Sequence, residues 1–206
     1  MKRALLLMCE GVEVYEAAAF YDVLGWSGAE GFEPVEVVTA GLTDEVRCAF
    51  GLRVRCDMRL DQARLRDLDA LAVPGGFAEH GFYEQAYSAE VSDLIRDFAR
   101  QGKPIASICV GALPLAKSGV LTNRPATTYS LSGGHRRRQL AELGARVVDA
   151  PIVIDGRIVT STGPGTAVDV AFWLLAELVG SDTAAAIRHL MGFSGSSGGP
   201  HPSTEG

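Results

Sequence analysis

Histidine is scarce in this chain, with 4 in 206 residues. No two of them stand at metal-ligand spacing. The four cysteines, at positions 9, 48, 56 and 109, are too far apart for a paired-cysteine site. A metal site is therefore not expected. Long apolar runs are also missing. Residues 4–8 form an N-terminal run of only five, too short for a secretory signal or a membrane span. Positive charge is in deficit, with a net charge of −6. This argues against nucleic acid or an anionic membrane as the main partner. The one basic cluster, Arg136-Arg137-Arg138, reads as a solvated helix face. With no disulfide framework in view, free thiols in a reducing cytoplasm are the expectation.

What the chain does have is concentrated in residues 104–119. Residues 104–108 are a short apolar run of the kind a buried strand provides. Ala112, Leu113, Leu115 and Ala116 then recur at helical spacing. Cys109 sits at the break between the two periods, followed by Val110 and Gly111. This is the layout of a nucleophile elbow with sulfur in place of the usual serine oxygen. Gly111 is expected because only a small residue fits two places after the nucleophile. The N–H groups at the start of the helix are expected to favour a thiolate, the reactive form of cysteine. The competing reading is a buried, inert thiol.

Strand and helix patterns alternate along the chain. Strands are expected at residues 4–8, 35–39, 71–73, 105–108 and 126–129, with an extended or hairpin segment at 46–54. Residues 152–154 and 158–160 flank Asp155-Gly156, a hairpin dipeptide. Helices are expected at 14–26, 91–100, 167–179 and 183–191, and one closes at 139–143. Such alternation argues for an α/β fold with a mostly parallel, doubly wound sheet. Residues 1–193 make one domain. The Gly/Ser/Pro-rich stretch 194–206 has no apolar anchor and reads as a disordered tail.

Ligands of such sheets bind at the carboxyl ends of the strands. That rule selects Glu16 after the first strand and Pro74, Gly75 and Gly76 after the third. The N–H groups of Gly75, Gly76 and Val110 are candidates for an oxyanion hole. Glu16 opens an apolar helix, so burial should raise its pKa. Protonated, it could donate to a thiolate; ionised, it could act as a general base. The alternative is an acid that merely complements the helix dipole.

These segments together resemble the ThiJ/PfpI family, within the class I glutamine amidotransferase-like, flavodoxin-like fold. The matching pieces are Arg3-Ala4-Leu5-Leu6-Leu7, Gly11-Val12-Glu13-Val14-Tyr15-Glu16, Asp69-Ala70-Leu71-Ala72-Val73-Pro74-Gly75-Gly76, Ala106-Ser107-Ile108-Cys109-Val110-Gly111-Ala112, and Thr160-Ser161-Thr162-Gly163-Pro164-Gly165-Thr166. The resemblance implies that Cys109 is the nucleophile and Glu16 its acidic partner. It implies a homodimer acting on a small molecule without a cofactor, in the manner of glyoxalases and deglycases that take reactive carbonyls. Alternatives are a redox-sensing, stress-response or chaperone-like protein whose Cys109 is oxidised to sulfinate and, further off, an isonitrile hydratase, amidase or peptidase. The chain departs from the family where many relatives place a histidine. Tyr129 and Ser130 stand there instead, and Val110 follows the cysteine. His80, Tyr129, Ser130, His135 and Pro164 are the remaining candidates for the pocket wall.

Overall fold

The structure, a computed structural model, describes residues 1–29 and 31–193. The expected tail at 194–206 lies outside the described residues. Strand β1 (Lys2–Met8) is followed by helix α1 (Val14–Gly25) and strand β2 (Val35–Gly41). A hairpin of β3 (Glu45–Arg47) and β4 (Arg53–Arg55) comes next, then the short β5 (Met58–Arg59) and β6 (Ala70–Val73). Helices α2 (Phe82–Ala86) and α3 (Ala89–Arg100) lead into β7 (Ile105–Ser107) and α4 (Ala112–Lys117). The remainder comprises β8 (Pro125–Ala126), α5 (His135–Glu142), β9 (Arg146–Val147), β10 (Ile152–Asp155), β11 (Ile158–Ser161), α6 (Ala167–Val179) and α7 (Ser181–Leu190).

Seven strands form one sheet in the order β10-β11-β7-β6-β1-β2-β5. Every pairing is parallel except the β10–β11 hairpin. The chain steps from β1 to β2 on one side, then returns to β6 on the other side of β1. This reversal leaves a crevice at the carboxyl ends of β1 and β6, where an open α/β sheet binds its ligand. Helices flank the sheet, with α1 packed on α6 and α3 on α4.

Local sequence explains the elements. The central strands are apolar on both faces, and Leu5, Leu6, Leu71 and Ile105 are fully buried, as a covered parallel sheet requires. Helix α3 buries Val91, Leu94, Ile95 and Phe98 at helical spacing and is capped by Ser88, whose Oγ accepts from the Val91 N–H at 3.2 Å. Residues 126–129 depart from the expected strand. Only Pro125–Ala126 pairs, with Arg146–Val147, in a small separate sheet. The next residues bond to side chain and turn instead of a strand ladder: Thr127 N–H donates to Thr160 Oγ1 of β11 at 2.9 Å, and Thr128 Oγ1 donates to the Cys109 carbonyl at 2.8 Å.

Candidate active site

The turn at Cys109 is set by backbone geometry. Ile108 is extended at φ −119°, Cys109 takes a left-handed φ of 57°, and Gly111 is already helical. A non-glycine residue at such φ costs about 1–3 kcal/mol and persists only where its surroundings hold it. They do here. The Thr128 hydroxyl binds the Cys109 carbonyl, and Gly111 N–H donates to Ile108 O at 2.8 Å. A Cβ on Gly111 would lie 2.3 Å from the Val73 carbonyl oxygen, which is why no side chain is tolerated two places after the cysteine.

Glu16 lies in the first turn of α1 and is completely buried. Its Oε2 accepts from the Gly75 N–H at 2.6 Å, while its buried Oε1 has no hydrogen-bond partner. Gly75 stands where acid and thiol meet. A Cβ there would be 3.0 Å from Glu16 Oε2, 3.0 Å from Val110 N and 3.1 Å from Cys109 Cβ. The Gly75 N–H is therefore committed to Glu16 and is not available to an oxyanion. The Val110 N–H points at the Cys109 sulfur. Gly76 is fixed by a bridge to Val12, and a Cβ on it would come 2.4 Å from Phe82.

A cavity of about 320 Å³ opens on Cys109, with Gly76, Val110, Tyr129 and Pro164 in its wall. Glu13, Ser132 and Arg136, which the sequence did not single out, also line it. Arg136 was hidden inside a three-arginine run that reads as a solvated surface. His80, Ser130 and His135 fall outside this wall. His80 is exposed and meets Phe50 and Phe77 edge-on, each at 6.2 Å between ring centres. Gly11 packs against its backbone, where a Cβ would lie 2.7 Å from His80 O. His135 is exposed at the start of α5. Among the described residues, no histidine lines the cavity, and no group of three His, Cys, Asp or Glu side chains could hold a metal.

Burial governs the electrostatics. It pushes the Glu16 carboxyl up to about 8, with the Glu13 charge adding to the shift and the Gly75 N–H and Cys109 thiol opposing it. Burial also pushes the Cys109 thiol up, reinforced by Glu16, while the Val110 N–H works the other way. The expected helix-stabilised thiolate is thus outweighed by desolvation. Helix α4 is only six residues long, which limits the field it can supply. Thiol and carboxyl influence each other, so their protons leave in two steps that belong to the pair rather than to either residue.

A strained cysteine at a strand-to-helix turn, beside a buried acid at the switch point of an open parallel sheet, defines a class of cysteine-centred α/β proteins. The DJ-1/PfpI family profile matches residues 2–177, and the chain belongs to that family. It is 33% identical over 193 residues to Protein DJ-1alpha of Drosophila melanogaster, covering 92% of this chain and 83% of that protein. It is 30% identical over 183 residues to the glutathione-independent glyoxalase DJR-1.2 of Caenorhabditis elegans, covering 88% and 91%. The crystal structure of Drosophila melanogaster DJ-1beta superposes with a TM-score of 0.80 at 30% identity, covering 92% and 97%. Among the described residues, no helix is long and apolar enough to cross a membrane.

Proposed function

We propose that this protein is a cofactor-free enzyme that adds Cys109 to small reactive carbonyls, of which 2-oxoaldehydes are the simplest. The observation that carries this reading is the unpartnered Oε1 of a fully buried Glu16 beside the Cys109 thiol. A buried oxygen left without a partner costs about 1–3 kcal/mol, and a proton-transfer role accounts for that cost. As the sulfur adds to the carbonyl carbon, the thiol proton passes to Glu16 and the carbonyl becomes an alkoxide. The Gly76 N–H, joined by the Val110 N–H once the sulfur has bonded to carbon and released it, holds that oxygen, and Glu16 returns the proton to it. A carboxyl with a pKa of about 8 suits both directions of transfer. A 2-oxoaldehyde adduct can then move its aldehyde hydrogen to the neighbouring carbon. This oxidises one carbon and reduces the other, and water releases a 2-hydroxy acid with no external oxidant. The likeness to a relative named as a glyoxalase supports this substrate class.

The absence of a cavity histidine among the described residues disfavours amide hydrolysis, in which a base takes the thiol proton and its conjugate acid then protonates the leaving amine. A homodimer belongs to the same reading. Tyr15, Tyr21, Phe50 and Leu52 are all more than half exposed, the kind of apolar surface a partner copy covers. Methylglyoxal depletion, followed with product identification, tests the activity. Formation of lactate by the native chain and not by Cys109→Ala is expected. No turnover, together with selective oxidation of Cys109 by limiting peroxide, would replace the enzyme with a redox sensor.

A further inference from the structure

We infer that Arg136 makes the Cys109 cavity selective for carbonyl compounds that carry a carboxylate; this rests on the reading of Cys109 as nucleophile. Three consecutive arginines occupy the first turn of α5, and the structure separates them. Arg137 pairs with Asp149 at 2.5 Å, and Arg138 donates to the Gly133 carbonyl at 2.7 Å. Arg136 alone of the three lines the cavity that holds Cys109. Its guanidinium lies over the Tyr83 ring, 4.8 Å from the centre, and Nη1 donates to Gln139 Oε1 at 3.0 Å. Gln139 Nε2 is itself tied to the Tyr87 hydroxyl at 3.1 Å. The group is therefore held in place by neutral partners. Among the described residues, no carboxylate forms an ion pair with it.

Helix stability does not explain this placement. A cation in the first turn runs against the helix dipole, which favours acids there. A positioned, unneutralised guanidinium in a concave site is suited to a planar anion, which it can grip through two parallel N–H bonds. The other charges in the wall set the size of that anion. Glu13 is half-buried and its carboxyl is pushed up by desolvation, while Glu79 is exposed. A single negative charge can be accommodated beside them. A doubly charged phosphate would meet more repulsion, and a neutral carbonyl compound would leave Arg136 unused.

Two alkylating probes that differ only in charge test this without requiring turnover. Iodoacetamide is neutral and iodoacetate carries a carboxylate. In both, Cys109 Sγ forms a bond to carbon, iodide leaves, and the thiol proton passes to Glu16 or water. Rates at Cys109 are read by peptide mass and divided by the rates of the same probes with N-acetylcysteine. The native chain is expected to favour iodoacetate on this scale. Arg136→Gln should lower that preference by about tenfold or more, the range of a charge-assisted hydrogen bond, with the iodoacetamide rate kept within about twofold. Arg137→Gln should leave the preference unchanged. An unaltered ratio in Arg136→Gln would overturn the assignment, as would an equal loss in Arg137→Gln, which would indicate a diffuse positive field. A preserved charge selectivity with no carbonyl turnover would sink the proposed reaction and leave the role of Arg136 standing. An intact iodoacetamide rate shows that the variant's site is folded.

Discussion

Two cavities of similar size each hold a buried cysteine, and only one sets its thiol beside a fully buried carboxyl. The first, about 290 Å³, lies between α1 and the β3–β4 hairpin and is lined by Cys48, Tyr21, Arg55 and Asp57. The second, about 320 Å³, contains Cys109. Burial pushes up both thiols, so thiol acidity does not separate them. Backbone and acid do. Cys48 has a relaxed φ of −66° and its N–H is spent on Leu52 O at 2.7 Å. Asp57 in that cavity is exposed, and its Oδ2 accepts from the Thr39 N–H and hydroxyl at 2.8 and 2.7 Å, so water can reach the carboxylate. Cys109 is left-handed, and Glu16 beside it keeps one oxygen unpartnered. A cavity with a thiol is not enough. A left-handed cysteine and a fully buried acid with one unpartnered oxygen distinguish the second region.

The sharpest way to break this contrast is to exchange the two thiols. Cys109→Ala should lower carbonyl turnover by about 10³ or more, the scale of losing a nucleophile. Cys48→Ala should leave turnover within about twofold, as expected for a residue outside the chemistry. Comparable losses in both would erase the distinction. Next in size, Glu16→Gln should cost about 10² in turnover, because the amide cannot carry a proton. The match between a side-chain-free turn and the strained cysteine can be probed with Gly111→Ala. Its Cβ would collide with the Val73 carbonyl, so denaturant unfolding should show a loss of about 3 kcal/mol.

A further effect concerns pH and stability. The folded-state pKa of Glu16 is about 8, above its ordinary 4.5. A raised carboxyl favours the folded chain fully below pH 4.5 and loses that advantage as pH rises through about 8. Glu16→Gln, which stays neutral, should therefore gain melting temperature relative to the native chain across that interval. A constant difference between the two from pH 5 to 9 would show that Glu16 does not titrate there.

The turn at Cys109 could be read from sequence because its period changes from strand to helix within three residues and Gly111 marks the close approach. The apolar residues that follow Glu16 in α1 pointed to its burial but left open a simple helix-dipole role, and the family resemblance singled it out. The β3–β4 and β10–β11 hairpins were legible too, the second from Asp155-Gly156, where Gly156 takes a φ of 59°. Strand β5 was missed because two residues show no periodicity. Residues 127–129 read as a strand because Thr and Tyr favour extended backbone, but Thr127 bonds to the Thr160 side chain and Thr128 to the Cys109 carbonyl rather than in a backbone ladder. The cavity wall was the least legible part. Whether a loop residue such as His80 turns inward depends on long-range packing, which local pattern does not contain.

The central claim is that geometry and Glu16, not thiol acidity alone, single out Cys109. Iodoacetamide labelling of the four cysteines, mapped by peptide mass between pH 6 and 9 in the native chain and in Glu16→Gln, tests it most directly. The account predicts that Cys109 is labelled first throughout, that its rate in the native chain climbs as Glu16 ionises near pH 8, and that this climb is lost in the variant. Preferential labelling of Cys9, Cys48 or Cys56, or the same pH profile in both proteins, would contradict it.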